Sequence, residues 1–356
     1  MKKQINHILG RFRQAIVWQL AFLLLLLLAG IVIAATMGYI KVPIWDVVVI
    51  MAAKLSGQMQ WLSGIKELFA VVVCDVRLPR ILTSAIVGGG LAVSGVVFQG
   101  ILLNPLADPY TLGVSAGAAF GAALAILLNL SLMGTYSIPV FAFLGAVATL
   151  GVVLYLAATG NSTGSFGSTN LILAGIIVAA ILSAAISLLK YIADEQVAVI
   201  IFWLMGSFGS RTWADVAVVS VFSGVGLGIC LYFARDLNLL ALGQRSAATL
   251  GVDTRKVPLI LLVSASLIAA AAVAVSGIIG FVGLLVPHMM RGVCGPDNRR
   301  LIPVSFLAGA ILLLVADTIT RAVLPTEIPI GVLTALIGGP FFCYVFRKRQ
   351  MLRGES

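Results

Sequence analysis

Between positions 257 and 290 the chain runs for 34 residues without a lysine, arginine, aspartate or glutamate. As one helix rising about 1.5 Å per residue, such a run would extend roughly 51 Å, far beyond a hydrocarbon core of about 30 Å. Gly277 and Gly280 offer a break inside it. The run therefore predicts two membrane spans, the second continuing past Arg291. Eight further stretches are candidate spans: residues 16–36, 81–103, 111–130, 138–158, 171–189, 216–233, 302–318 and 332–346. With 61% hydrophobic and 10% charged residues, the chain lies far from the roughly 45–50% and about 25% of a soluble domain. The expected fold class is an all-α polytopic membrane protein with ten transmembrane helices.

The basic residues test that count. A formal net charge of +10 would point to nucleic acid in a soluble chain. In a polytopic chain it reflects the gathering of cationic residues on cytoplasmic loops, and no nucleic-acid partner is expected. With both termini cytoplasmic and ten crossings, 15 of the 23 lysines and arginines fall inside. Nine crossings would put Arg299, Arg300 and the basic C-terminal segment outside, against the rule. Lys2, Lys3, Arg11 and Arg13 ahead of the leucine run at 23–28 look like a signal peptide. No small-residue cleavage site follows cleanly, so the segment reads as a retained first span. Residues 38–76 form the longest extramembrane stretch, with short surface helices expected over 47–53 and 65–73. Residues 197–208 are too short to span and read as a surface or re-entrant helix.

Residues 234–258 are a polar island that still carries Leu237, Leu239, Leu240, Leu242 and Leu250. Gly243 and Gly251 read as stops after two short helices, because glycine takes the left-handed conformation that closes a helix at low cost. Ser246 is placed to cap the second helix. On pattern alone the island is either a connector lying on the headgroups or a short amphipathic element that docks a partner.

Motifs for chemistry are lacking. There is no GxxxxGK[ST] to cradle a triphosphate. The stretch Leu55-Ser56-Gly57-Gln58 falls on the outer side, and its echo of an ATPase signature reads as chance. Cys74, Cys230, Cys294 and Cys343 form no CxxC pair, and no cluster has metal-ligand spacing. His288 reads as a hydrogen-bonded structural histidine. No nucleophile has a recognisable base, so neither catalysis nor a cofactor is expected. Asp317 and Arg321 lie four apart on one span, placed to pair with each other. Gly88–Gly90 with Ser94 and Gly95, and Gly113, Gly117 and Gly121, suit close helix packing. Residues 89–105 and 271–287 share Ala-Val-Ser-Gly, Leu-Leu and Pro without gaps, through duplication or coincidence. Arg77-Leu78-Pro79-Arg80 opens a span on the outer side, where proline suits a helix start.

Several stretches together carry a family resemblance: RLPR at 77–80, LAVSG at 91–95, NPLADPYTLGVSAGA at 104–118, LNLLALG at 237–243, LGV at 250–252, GFVGLLVPH at 280–288, DNRRLIP at 297–303 and IPIGVLTALIGGPFF at 328–342. In this order, over about 77–346, they resemble the permease subunits of bacterial importers for iron-siderophores, haem and cobalamin, the type II ABC importers. The resemblance implies a single permease domain over 1–356, in the bacterial inner membrane, forming a homodimer with a central pathway. It implies two separate ATP-binding-cassette ATPase subunits inside and a periplasmic or lipid-anchored binding protein outside. The chain itself would not be an enzyme; its cargo would be a bulky metal chelate, a ferric siderophore first on family breadth, with haem and cobalamin open. By the same resemblance, Leu237, Leu239, Leu240, Leu242, Gly243, Leu250 and Gly251 form the coupling helices that seat on the ATPases. Arg77, Arg80 and Arg321 would receive acidic side chains of the binding protein. Asn104 and Leu106, with Ser168 and Thr169, would form the cytoplasmic gate. The outer loop at 38–70 looks long for the family. The rival readings are an ATP-independent secondary carrier, which would bury carboxylates along its path, and an intramembrane enzyme.

Overall fold

The computed structural model describes residues 2–159, 167–323 and 326–354. Every regular element among them is helical. The helices are α1 (Lys2–Thr36), α2 (Ile44–Ser56), α3 (Glu67–Val71), α4 (Leu78–Leu102), α5 (Val114–Leu127), α6 (Ser137–Thr159), α7 (Ser168–Ile192), α8 (Val197–Leu204), α9 (Trp213–Tyr232), α10 (Ala234–Leu240), α11 (Gln244–Thr249), α12 (Lys256–Ser276), α13 (Val282–Cys294), α14 (Asn298–Ala322) and α15 (Ile330–Gly354). Seven helices among the described residues are long and apolar enough to cross a membrane. They are Ile16–Thr36 of α1, the continuous Glu67–Leu102, and those containing α6, α7, α9, α12 and α14; Val114–Leu127, Val282–Cys294 and Ile330–Val345 are shorter apolar helices. The chain is a multi-pass membrane protein.

The expected break in the 257–290 run falls between α12 and α13. Gly277 takes φ 72° and Phe281 φ 67°, both left-handed. The interrupted backbone stays hydrogen-bonded. Ser207 N–H donates to the Ser276 carbonyl at 2.8 Å, and Ile330 and Gly331 N–H donate to the Gly206 and Met205 carbonyls, each at 3.1 Å. The Tyr110 hydroxyl donates to the Ile279 carbonyl at 2.8 Å. Irregular backbone is tolerated within a membrane protein only where protein satisfies it in this way.

At the centre stands α4, buried along nearly its whole length and packed by α9, α12, α13 and α14. A Cβ at Gly88 would run into the Gly309 carbonyl, and one at Gly309 into the Gly88 carbonyl. Helices α4 and α14 therefore cross backbone to backbone, the contact that dispersion rewards where lipid removes the hydrophobic drive. The same reciprocal contact joins Gly117 of α5 to Gly145 of α6. By contrast α1 buries Ile31, Ala34 and Ala35 near its C-terminal end, while Leu24, Leu25 and Leu28 are exposed.

Two expectations are corrected, and one open alternative gains an observation. The span through Arg80 does not start at Pro79; the helix is continuous from Glu67, with a π turn over Val72–Arg77. Pro79 has no N–H for the preceding turn and its ring crowds that turn's carbonyl; a π turn just upstream accommodates both effects. The long outer stretch thus ends near Lys66, and its helix α2 packs Val47 and Ile50 into a cluster with Ala34, Val73 and Ile81. The echo between 89–105 and 271–287 is not a structural repeat: Ser94-Gly95 lies mid-helix in α4, whereas Ser276-Gly277 ends α12. Asp317 pairs across helices with Arg80 rather than along its own helix with Arg321.

Candidate functional site

The polar island folds as two short helices, α10 and α11, at the end of the bundle where α14 begins. Leu237 and Leu240 are buried, and Leu237 lies against Gly100 of α4. Leu239 packs on the edge of the same core. Leu242 and Leu250 are 63% and 58% exposed. The five leucines therefore divide into anchors that hold the knob to the bundle and an apolar tip that projects from it.

Gly243 sets the corner. Its N–H donates to the Leu240 carbonyl and its carbonyl accepts from Ala247 N–H, each at 3.0 Å, with φ at 96°. That backbone is strained for any side-chain-bearing residue. Gly243, not Ser246, is consequently the cap of α11; Ser246 lies inside its first turn. Gly251, with φ 89°, makes the second corner.

The residue that sequence reasoning missed is Asn238. Its Nδ2 donates to Asp297 Oδ1 at 2.7 Å, and its Oδ1 accepts from the backbone N–H and Nδ2 of Asn298, both at 2.8 Å. Asp297 in turn accepts from Arg299 N–H and pairs with the Arg299 guanidinium at 2.9 Å. The Arg299 hydrogen bond, against the opposing effect of partial burial and with help from Asn238, holds the Asp297 carboxyl below its ordinary pKa. Asn238 thus locks the knob to the first turn of α14. The only sequence signal was a lone asparagine inside an otherwise apolar LNLLALG.

At the same end, Asn104 Oδ1 accepts from Leu106 N–H at 3.0 Å, an Asx turn that shapes the loop after α4. Asp108 caps the short 3-10 turn Pro109–Leu112, accepting from Thr111 N–H at 3.0 Å, and Leu106 is exposed. Ser168 and Thr169 form the first turn of α7, and Gly175 further along packs on the backbone of Thr111 and Leu112. Asn104, Leu106, Ser168 and Thr169 therefore share one end of the subunit. Of the uncharged loop at 161–170, residues 161–166 lie outside the described residues.

Arg77, Arg80 and Arg321 gather at the opposite end of the bundle, but Arg77 and Arg321 serve α1. Arg77 donates to the Ala35 carbonyl at 2.6 Å and to the Ile40 carbonyl; Arg321 donates to Ala34 and Met37 at 2.9 and 2.7 Å. A helix leaves its last four carbonyls without partners, and cationic donors at that end also complement its dipole. Arg80 instead meets carboxylates. Its Nε and Nη2 contact Asp317 Oδ1 at 3.0 and 2.7 Å, and Nη2 also contacts Glu327 Oε1 at 2.5 Å. With Arg211, which donates to the Gly209 and Val275 carbonyls, these arginines line a cleft of about 670 Å³. Arg211 comes from the α8–α9 connection and had no signal beyond being an outer-side arginine. No metal-binding cluster occurs among the described residues.

Apolar helices around a satisfied break, with a leucine knob at one end and an arginine cleft at the other, define a polytopic membrane protein. The chain belongs to the FecCD transport family, which matches residues 22–348. It is 40% identical over 341 residues to the hemin transport system permease protein HmuU of Yersinia pestis, covering 94% of this chain and 97% of that one. It is 44% identical over 289 residues to the cobalamin import system permease protein BtuC of Halobacterium salinarum, covering 81% and 76%. A solved structure described as an inward-facing metal-chelate type ABC transporter superposes with a TM-score of 0.79 at 37% identity, over 92% of this chain and 98% of that one.

Proposed function

We propose that the chain is the membrane-spanning subunit of an ATP-driven importer for a bulky metal chelate. The seven long and three shorter apolar helices support a ten-span subunit with both termini cytoplasmic, working as a homodimer around a central pathway in a bacterial inner membrane. Two ATPase subunits seat on the α10–α11 knobs, and a binding protein delivers cargo to the arginine cleft. Chemistry resides on the ATPases; this chain converts their motion into opening, with Asn104, Leu106, Ser168 and Thr169 closing the cytoplasmic end.

The observation that carries this reading is the divided knob: Leu237 and Leu240 buried, Leu242 and Leu250 exposed, and Asn238 bonded to the start of α14. A passive connector has no need of an apolar tip held by a fully bonded polar lock. A secondary carrier is disfavoured because Asp317, the one carboxylate in α14, is committed to Arg80. The named relatives carry hemin and cobalamin, both metal chelates, so the cargo class is a chelate, with ferric siderophore the first to assay beside those two.

The test is reconstitution in proteoliposomes with the ATPase and binding protein of the same locus. Chelate uptake should require ATP and should vanish when Leu242 and Leu250 are replaced by serine. Uptake that persists without the ATPase would overturn the reading.

A further inference from the structure

Arg80 holds two carboxylates of different standing. Asp317 sits on rigid α14 with its side chain 2% exposed, whereas the Glu327 side chain is 48% exposed on the connection leading into α15. A buried ion pair is hard to break, because separating it strands an uncompensated charge. A half-exposed pair exchanges readily, since water and other ions compete for both partners. Of the four guanidiniums in the cleft, Arg77, Arg211 and Arg321 are bonded to backbone carbonyls, whereas Arg80 is bonded to carboxylates. Arg80 is the one whose ligand set includes an anion that can leave.

We propose that Glu327 is a built-in competitor for the acidic side chain of the binding protein. It occupies Arg80 in the undocked permease and yields that position to the incoming carboxylate. This rests on the reading of the arginine cleft as the binding-protein site. The exchange has a mechanical consequence: Glu327 lies three residues before Ile330, where α15 begins. Releasing Glu327 from α4 loosens the link through which the outer cleft holds the start of α15. Docking is thereby converted into freedom for a helix whose first turn bonds to Met205 and Gly206 beside the α12–α13 break.

The test measures docking of the fluorescently labelled, unloaded binding protein of the same locus to the permease–ATPase complex in nanodiscs. Glu327→Gln keeps the shape and removes the competitor, and docking should tighten about fivefold. Asp75→Asn is the control for the general field: Asp75 lines the same cleft, and its removal should tighten docking far less. Arg80→Gln alone could misfold by stranding Asp317, so the receiving role is tested in the double variant Arg80→Gln with Asp317→Asn. That variant should dock about tenfold more weakly, and adding Glu327→Gln to it should change nothing. Glu327→Gln docking like the wild type, or like Asp75→Asn, while the double variant docks weakly would overturn the competitor role and leave the docking site standing. A gain from Glu327→Gln that survives in the double-variant background would overturn it as well. Wild-type docking by the double variant would overturn both readings.

Discussion

Asn238 and Asp297 are joined by a 2.7 Å hydrogen bond that crosses from the α10–α11 knob to the cap of α14. The last turns of the same helix carry Asp317, which holds Arg80, and Arg321, which lines the arginine cleft. One rod therefore touches the α10–α11 knob at its start and the arginines at its end. Asn238→Ala removes three hydrogen bonds worth about 0.5–1.5 kcal/mol each. The expected outcome is a folded permease that still binds its ATPase, with severalfold more ATP hydrolysed per chelate imported. Wild-type stoichiometry in proteoliposomes would show that the lock is not in the transmission path.

The buried and exposed leucines of the knob should separate cleanly. Leu237→Ala opens a cavity against α4 and should cost about 2–5 kcal/mol, seen as a lowered thermal midpoint in detergent. Leu242→Ala changes an exposed position and should stay within about 0.5 kcal/mol, while co-purification of the ATPase falls. Equal losses of stability in the two variants would contradict the division.

Charge removal at the outer end should be non-additive. Arg80→Gln leaves Asp317 buried and alone, at a cost of about 3–5 kcal/mol. Adding Asp317→Asn removes the orphaned charge and should recover most of that loss. The comparison is made on thermal midpoints of the purified subunit.

Glycine substitutions should have opposite signs by location. Gly309→Ala pushes a methyl group into the Gly88 carbonyl, and overpacking of this kind costs about 1–3 kcal/mol. Gly151 in α6 has open space around it, so Gly151→Ala should stabilise through helix propensity, by up to about 1 kcal/mol. A destabilised Gly151→Ala would point to a partner on that face.

The acid limb of stability should depend on Asp297. Its carboxyl binds a proton more weakly folded than unfolded, because the Arg299 and Asn238 hydrogen bonds favour the charged form. Its contribution is full above the ordinary value of 3.8 and is lost as pH falls through the lower folded value. The thermal midpoint of Asp297→Asn, followed from pH 7 downward, should lie below wild type at neutral pH and converge with it in acid.

Hydrophobic runs and glycines are local facts, and they were readable. The apolar stretches placed the spans, Gly277 placed the break within the 257–290 run, and Gly243 and Gly251 placed the corners of the knob, since each depends on a residue's own φ or on its neighbours in the same helix. What only the tertiary structure decided is who meets whom. Asp317 has Arg321 one turn away yet bonds to Arg80, 237 residues distant, because the Gly88–Gly309 contact draws α4 and α14 together. Arg321 read as the partner of Asp317, and its use with Arg77 as a cap for α1 follows from where that helix ends in space. Leu237 and Leu242 look alike in LNLLALG, and only the packing of α10 on α4 buries one and exposes the other. Periodicity fixes which residues share a helical face; the opposing face is set by the close approach of backbones that are remote in the chain.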